Sequence, residues 1–139
     1  MPTPALPCSR TVAAGDFDGD DIPDLVVSNY GVVTIAFLHG NGDGTFAPEV
    51  VLDVGVIPSG IAAVDMDGDG FLDIVGYGPA LLVLRGHGDG TFSAPAIYEA
   101  GRRSAAVVRD LDGDGRPDIF QPDTGAGFAR LHNNGCPLL

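Results

Sequence analysis

Tryptophan and lysine are missing from the 139 residues, and the basic side chains are seven arginines. Against 19 acidic residues they leave a formal net charge of −12, which disfavours phosphate backbones and anionic membrane surfaces, so no nucleic-acid partner is expected. No apolar run approaches the roughly 18 residues of a membrane-spanning helix, and no membrane insertion is expected. No basic segment followed by an apolar stretch reads as a signal peptide. The two cysteines, Cys8 and Cys136, form no Cys-x-x-Cys and have no nearby histidine pair, so they do not read as a metal site. No segment of a dozen residues carries a helical apolar stripe. No Ser/His/Asp or Cys/His set falls at a strand-to-turn position, and no enzyme is expected. Turn formers, by contrast, are plentiful: 21 Gly and 11 Pro accompany 45% apolar residues, the composition of short strands around a core.

The acid is concentrated. Twelve of the 19 acidic residues fall in three copies of Asp-x-Asp-Gly-Asp-x-x-x-Asp: Asp16, Asp18, Asp20, Asp24; Asp65, Asp67, Asp69, Asp73; and Asp110, Asp112, Asp114, Asp118. Two unit charges ~4 Å apart repel by on the order of 1 kcal/mol even in bulk water, so four carboxylates in nine residues call for a cation. Carboxylates at loop positions 1, 3 and 5 converge on one point, position 7 offers a backbone carbonyl (Ile22, Phe71, Arg116), and Asp at position 9 closes the loop. Ca²⁺ fits this set, since it takes 6–8 oxygen ligands in irregular geometry, whereas Mg²⁺ demands a strict octahedron. Up to three Ca²⁺ per chain are expected. Position 6 is a sharp turn that favours Gly, as Gly70 and Gly115 supply; the first copy has Asp21 there, which tolerates a left-handed backbone less well. The loops are not EF-hands: position 12 is Val27, Gly76 or Gln121 rather than Glu, and no helical pattern flanks them. Metal-free Asp-Gly turns are the alternative, made less attractive by three copies that each keep all four Asp.

The motifs start 49 and then 45 residues apart, a spacing typical of propeller blades. A second signature keeps the same beat: Leu38-His39-Gly40-Asn41-Gly42-Asp43-Gly44-Thr45-Phe46 matches Leu84-Arg85-Gly86-His87-Gly88-Asp89-Gly90-Thr91-Phe92, and Leu131-His132-Asn133-Asn134-Gly135 begins a third copy. Each unit reads as four antiparallel strands. A short apolar run enters the Asp loop and another leaves it; a third (33–38, 81–85, 128–132) leads into the Gly-Asp-Gly-Thr-Phe hairpin, and a fourth (48–53, 96–100) follows. The repeats span about 9–53, 54–100 and 101–135 of a single all-β domain. Phe46 and Phe92 read as packing between neighbouring blades.

The pairing of Asp-x-Asp-Gly-Asp-Gly-x-x-Asp with Gly-Asp-Gly-Thr-Phe resembles the FG-GAP/VCBS-type repeat family, found in integrin alpha-subunit propellers and propeller lectins. The resemblance covers roughly residues 9 to 135. It implies a β-propeller with Ca²⁺ in the loop between the first two strands of each blade, in proteins that are mostly extracellular or cell-surface and bind glycans or proteins. Complete propellers commonly have 4–8 blades and this chain carries three. Two chains closing a six-bladed ring head to tail, a piece of a longer propeller, or another arrangement that hides the ends are all compatible; a homo-oligomeric ring, as a dimer, is the favoured expectation.

Cys8 and Cys136 sit at matching repeat boundaries and are candidates for a disulfide within or between chains. His39 and His132 are repeat-equivalent and His87 lies nearby, all near the hairpin that ends the third strand; they read as exposed turn residues that as a set could contact a sugar or an anion. Tyr30 and Tyr77 correspond in the first two repeats and are candidate sugar contacts or core residues. The expected function is a calcium-stabilised, lectin-like or adhesive binding module, with a protein-binding or structural scaffold as the alternative.

Overall fold

The computed structural model describes residues 9–29, 31–99, 107–123 and 127–131. Tyr30, His132, Cys8 and Cys136 lie outside the described residues, as does the third hairpin signature beyond Leu131. The chain is all-β: the described residues form eleven strands and no helix. Strands β1 (Ser9–Gly15), β2 (Asp24–Asn29), β3 (Thr34–Leu38) and β4 (Val50–Asp53) make one sheet in the order β1-β2-β3-β4. Strands β5 (Gly60–Val64), β6 (Asp73–Tyr77), β7 (Ala80–Leu84) and β8 (Ala96–Glu99) make a second in the order β5-β6-β7-β8. The third joins β9 (Val107–Arg109), β10 (Asp118–Asp123) and β11 (Gly127–Leu131) through β10. All pairings are antiparallel, so each repeat is a meander of the kind that builds propeller blades. The fourth strand of the first sheet starts at Val50 rather than Pro48, because proline brings no N–H to the ladder.

The middle strands are buried on both faces, and their side chains alternate between two cores. On β3, Ile35 and Phe37 enter a cluster that also holds Val26, Ile61, Ile74, Leu82 and Leu84, joining the first two sheets. Ala36 and Leu38 face the other way, with Val27 and the half-buried Phe46. On β7, Leu81 and Val83 turn to a separate cluster with Met66, Val75 and Ile119, which joins the second sheet to the third. Period-two alternation thus sends successive residues of one strand into successive interfaces.

The residue at loop position 2 locks the first sheet to the second and the second to the third. Phe17 is 2% exposed and meets Phe37 and Phe92 edge-on, with ring centroids 5.9 and 5.6 Å away. Its carbonyl accepts the Gly90 N–H of the second hairpin at 3.1 Å, so the first Asp loop is tied to the neighbouring sheet. Met66, its counterpart in the second loop, is 1% exposed against Ile119. The expectation that Phe92 packs between blades is met, while Phe46 lies on the opposite face of the first sheet.

Candidate metal centre

The three Asp loops share one architecture. The first Asp folds the loop around itself: Asp16 accepts the N–H groups of Gly19 (2.7 Å) and Asp21 (2.9 Å). Asp65 does the same with Gly68 (2.8 Å) and Gly70 (2.9 Å), and Asp110 with Gly113 (2.7 Å) and Gly115 (2.8 Å). The Asp21 amide in the first loop and the Gly115 amide in the third hold the Asp16 and Asp110 carboxyls below the ordinary carboxylate range. Position 5 accepts the N–H of position 7 in every copy: Asp20 from Ile22 at 2.8 Å, Asp69 from Phe71 and Asp114 from Arg116 at 2.9 Å. Position 6 has the positive φ anticipated for it, 87° at Gly70, 86° at Gly115 and 65° at Asp21. A side chain in this region costs energy that glycine avoids. Asp21→Gly is therefore expected to stabilise the protein by about 1 kcal/mol in urea unfolding.

Position 9 does more than its place in the motif suggests. Asp24, Asp73 and Asp118 are fully buried. One carboxylate oxygen accepts the position-2 N–H, from Phe17 (3.0 Å), Met66 (2.8 Å) or Leu111 (3.1 Å). In the first two repeats the other oxygen accepts the N–H of Gly40 or Gly86, both at 2.8 Å. The Asp therefore bolts its loop to the hairpin two strands away. Glycine is required at the far end, because a Cβ on Gly40 would stand 2.1 Å from the Pro23 carbonyl oxygen, and one on Gly86 2.0 Å from that of Leu72. Each oxygen keeps a second lone pair, so bracing and metal ligation are compatible.

Carboxylate oxygens approach within 4.8 Å of one another in the sets Asp16, Asp18, Asp20; Asp65, Asp67, Asp73; and Asp110, Asp112, Asp118. These all-oxygen sets suit a hard cation. Burial and the negative charge of Asp24 raise the Asp18 carboxyl. Burial pushes Asp73 up to about 6. The folded state then keeps a proton that the unfolded chain releases near 3.8, so in ion-free protein this stabilisation is complete below that pH and is lost as pH rises through about 6. A bound cation favours the carboxylate and moves the titration down. Carboxyl carbon NMR is expected to show Asp73 titrating near 6 with chelator, and well below that with calcium.

Two basic side chains reach into the loops. His39, at the end of β3, reads from sequence as an exposed turn residue. It is only half exposed: its Nδ1 lies 2.6 Å from Asp18 Oδ2 and 3.3 Å from Asp24 Oδ1. Arg85, its counterpart after β7, donates through Nε to Asp67 Oδ2 at 2.7 Å and through NH2 to the same oxygen at 2.5 Å. The repeat alignment places Arg85 opposite His39 but gives it no role. His87 stays exposed, 3.2 Å from the Ser93 hydroxyl. Tyr77 is half-buried beside Met66, Val75 and Leu81, with its ring over Gly60. Asp43 and Asp89 stand outside the clusters and cap their hairpins, each accepting the hydroxyl of Thr45 or Thr91 at 2.5 Å.

Residues 16–76, just under half of the chain, match the FG-GAP-like repeat family, in agreement with the resemblance carried by the two motifs. No curated protein matches the chain by sequence. Among the described residues no helix is long and apolar enough to cross a membrane.

Proposed function

We propose that this FG-GAP-like repeat chain is a calcium-stabilised β-propeller binding module with one ion in each Asp loop. The convergence of hard oxygen donors in all three loops carries this reading. Asp16, Asp18, Asp20 and Asp24, with their counterparts at 65–73 and 110–118, would supply the side-chain ligands, and Ile22, Phe71 and Arg116 a backbone carbonyl each. Extracellular modules hold calcium at about 10⁻⁴–10⁻³ M, which suits a secreted or cell-surface setting. The acidic clusters are accounted for as cation ligands, so the chain is read as a binder rather than an enzyme.

The blade interfaces support self-assembly into a closed ring. Phe17 and Met66 are buried against the following sheet, whereas Leu111, at the same loop position of the third repeat, is 45% exposed and Val107, on β9 of that repeat, 47%. At the other end Val12 is 60% exposed, while its repeat counterpart Ile61 is buried at 6%. A second copy placed head to tail would meet these surfaces as the second sheet meets the first.

For the ligand, the propeller-lectin resemblance favours a glycan in multivalent array. A protein ligand is the second reading. It is favoured by an apolar groove of about 630 Å³ between the first two sheets, at the end away from the Asp loops, lined by Val33, Val56, Ile57, Pro79, Ala80 and Ile97. Calorimetric titration with calcium is expected to give three ions per chain; absence of heat overturns the calcium reading. A glycan array run with calcium and with EDTA tests the ligand: calcium-dependent signals support the lectin reading, and none, with a protein partner captured after deglycosylation, supports the scaffold.

A further inference from the structure

We infer that Arg85 is a built-in counter-ion of the second Asp loop, one that a divalent ion must displace, and that it lowers the affinity of this loop alone. The inference rests on the calcium reading above and concerns the residue that follows the third strand of each repeat. The Arg85 guanidinium places two nitrogens on Asp67 Oδ2, at 2.7 and 2.5 Å, and NH2 lies 3.9 Å from Asp69 Oδ2. It therefore occupies the position-3 carboxylate, which an incoming ion also needs, and places its charge near that of position 5 without a hydrogen bond to it.

Guanidinium carries donors only and stays protonated, so Arg85 can compete with a metal but cannot ligate one. The first loop differs in kind. His39 occupies the same place, with Nδ1 2.6 Å from Asp18 Oδ2 and Nε2 3.8 Å from Asp20 Oδ2. An imidazole nitrogen, unlike a guanidinium, can ligate a metal, and His39 stands with Asp18 and Asp24 in one set of possible ligand atoms, so it can join a bound cation where Arg85 must leave. In the third loop Arg116 NH1 stands 3.7 Å from Asp114 Oδ2, too far for a hydrogen bond. Arg116 is itself a loop residue, two positions beyond that Asp, and not an arm from a neighbouring strand.

The test is calorimetric calcium titration of the full chain as wild type, Arg85→Ala, Asp67→Ala and the Arg85→Ala/Asp67→Ala double variant. Because the pair is partly exposed, Arg85→Ala is expected to tighten one site about three- to ten-fold and leave the other two unchanged. In the Asp67→Ala background the same substitution should change nothing. Thermal melts give a second readout: with EDTA, Arg85→Ala should melt below wild type, having lost its counter-charge, and saturating calcium should close that gap. An unchanged or weakened site in Arg85→Ala, with three sites present in wild type, overturns the role of Arg85 and leaves the calcium reading intact. A wild type that binds no calcium removes both.

Discussion

Stripping divalent ions with EDTA is expected to lower the melting temperature by about 8 °C for each loop emptied, and on the order of 25 °C for all three. A ligand that binds only the folded form stabilises it by about 2.7 kcal/mol at a hundred times its dissociation constant. For a chain of this length each kcal/mol corresponds to about 3 °C. The electrostatics point the same way. Three bound Ca²⁺ would halve the formal net charge of −12, and the relief falls where the carboxylates are densest. Differential scanning calorimetry at fixed ionic strength checks this, with Mg²⁺ as comparison. A melting temperature indifferent to EDTA, or restored equally by both ions, contradicts a calcium-specific cage. Acid should mimic EDTA below the range where the clustered carboxylates take up protons.

Phe17→Ala is expected to cost about 4 kcal/mol, because truncating a buried Phe typically costs 3–5 kcal/mol through lost burial and the cavity left behind. Phe17 also gives up two edge-to-face contacts, with Phe37 and Phe92. The damage should spread beyond the core, because Phe17 belongs to the first Asp loop and its backbone binds Gly90 of the second hairpin. Calcium affinity of the first loop should therefore fall together with stability in urea unfolding. Leu111→Ala is the informative comparison. In a free chain Leu111 is 45% exposed and its loss should cost well under 1 kcal/mol; in a closed ring it occupies the Phe17 position and should cost about 2–5 kcal/mol. Concentration-dependent melting of wild type, abolished in Leu111→Ala, would mark assembly through this face.

Much of this protein is written in the order of its residues. Two signatures recurring in step predict four-stranded units; two sheets come out in the order β1-β2-β3-β4 and β5-β6-β7-β8, and the positive φ at Asp21 falls where the turn is expected. Spacing suffices there because loop and hairpin geometry are local: an Asp at position 1 folds its own next five residues around its carboxylate.

What runs between strands is not legible in that order. Asp24 and Asp73 read as loop ligands, yet they also brace Gly40 and Gly86, which lie 16 and 13 residues further along the chain. His39 reads as a surface turn residue, and only the pairing of β2 with β3 carries it to the Asp loop. Arg85 reaches Asp67 for the same reason, across the β6–β7 pair. The alternation of Ile35 and Phe37 against Ala36 and Leu38 is visible as sequence, but which set meets the second sheet depends on how the sheets stack. Residue order alone sets the repeat, the turns and the negative charge. Which groups meet that charge is fixed only on folding, because strand pairing and sheet stacking bring together residues whose separation along the chain carries no periodic signal.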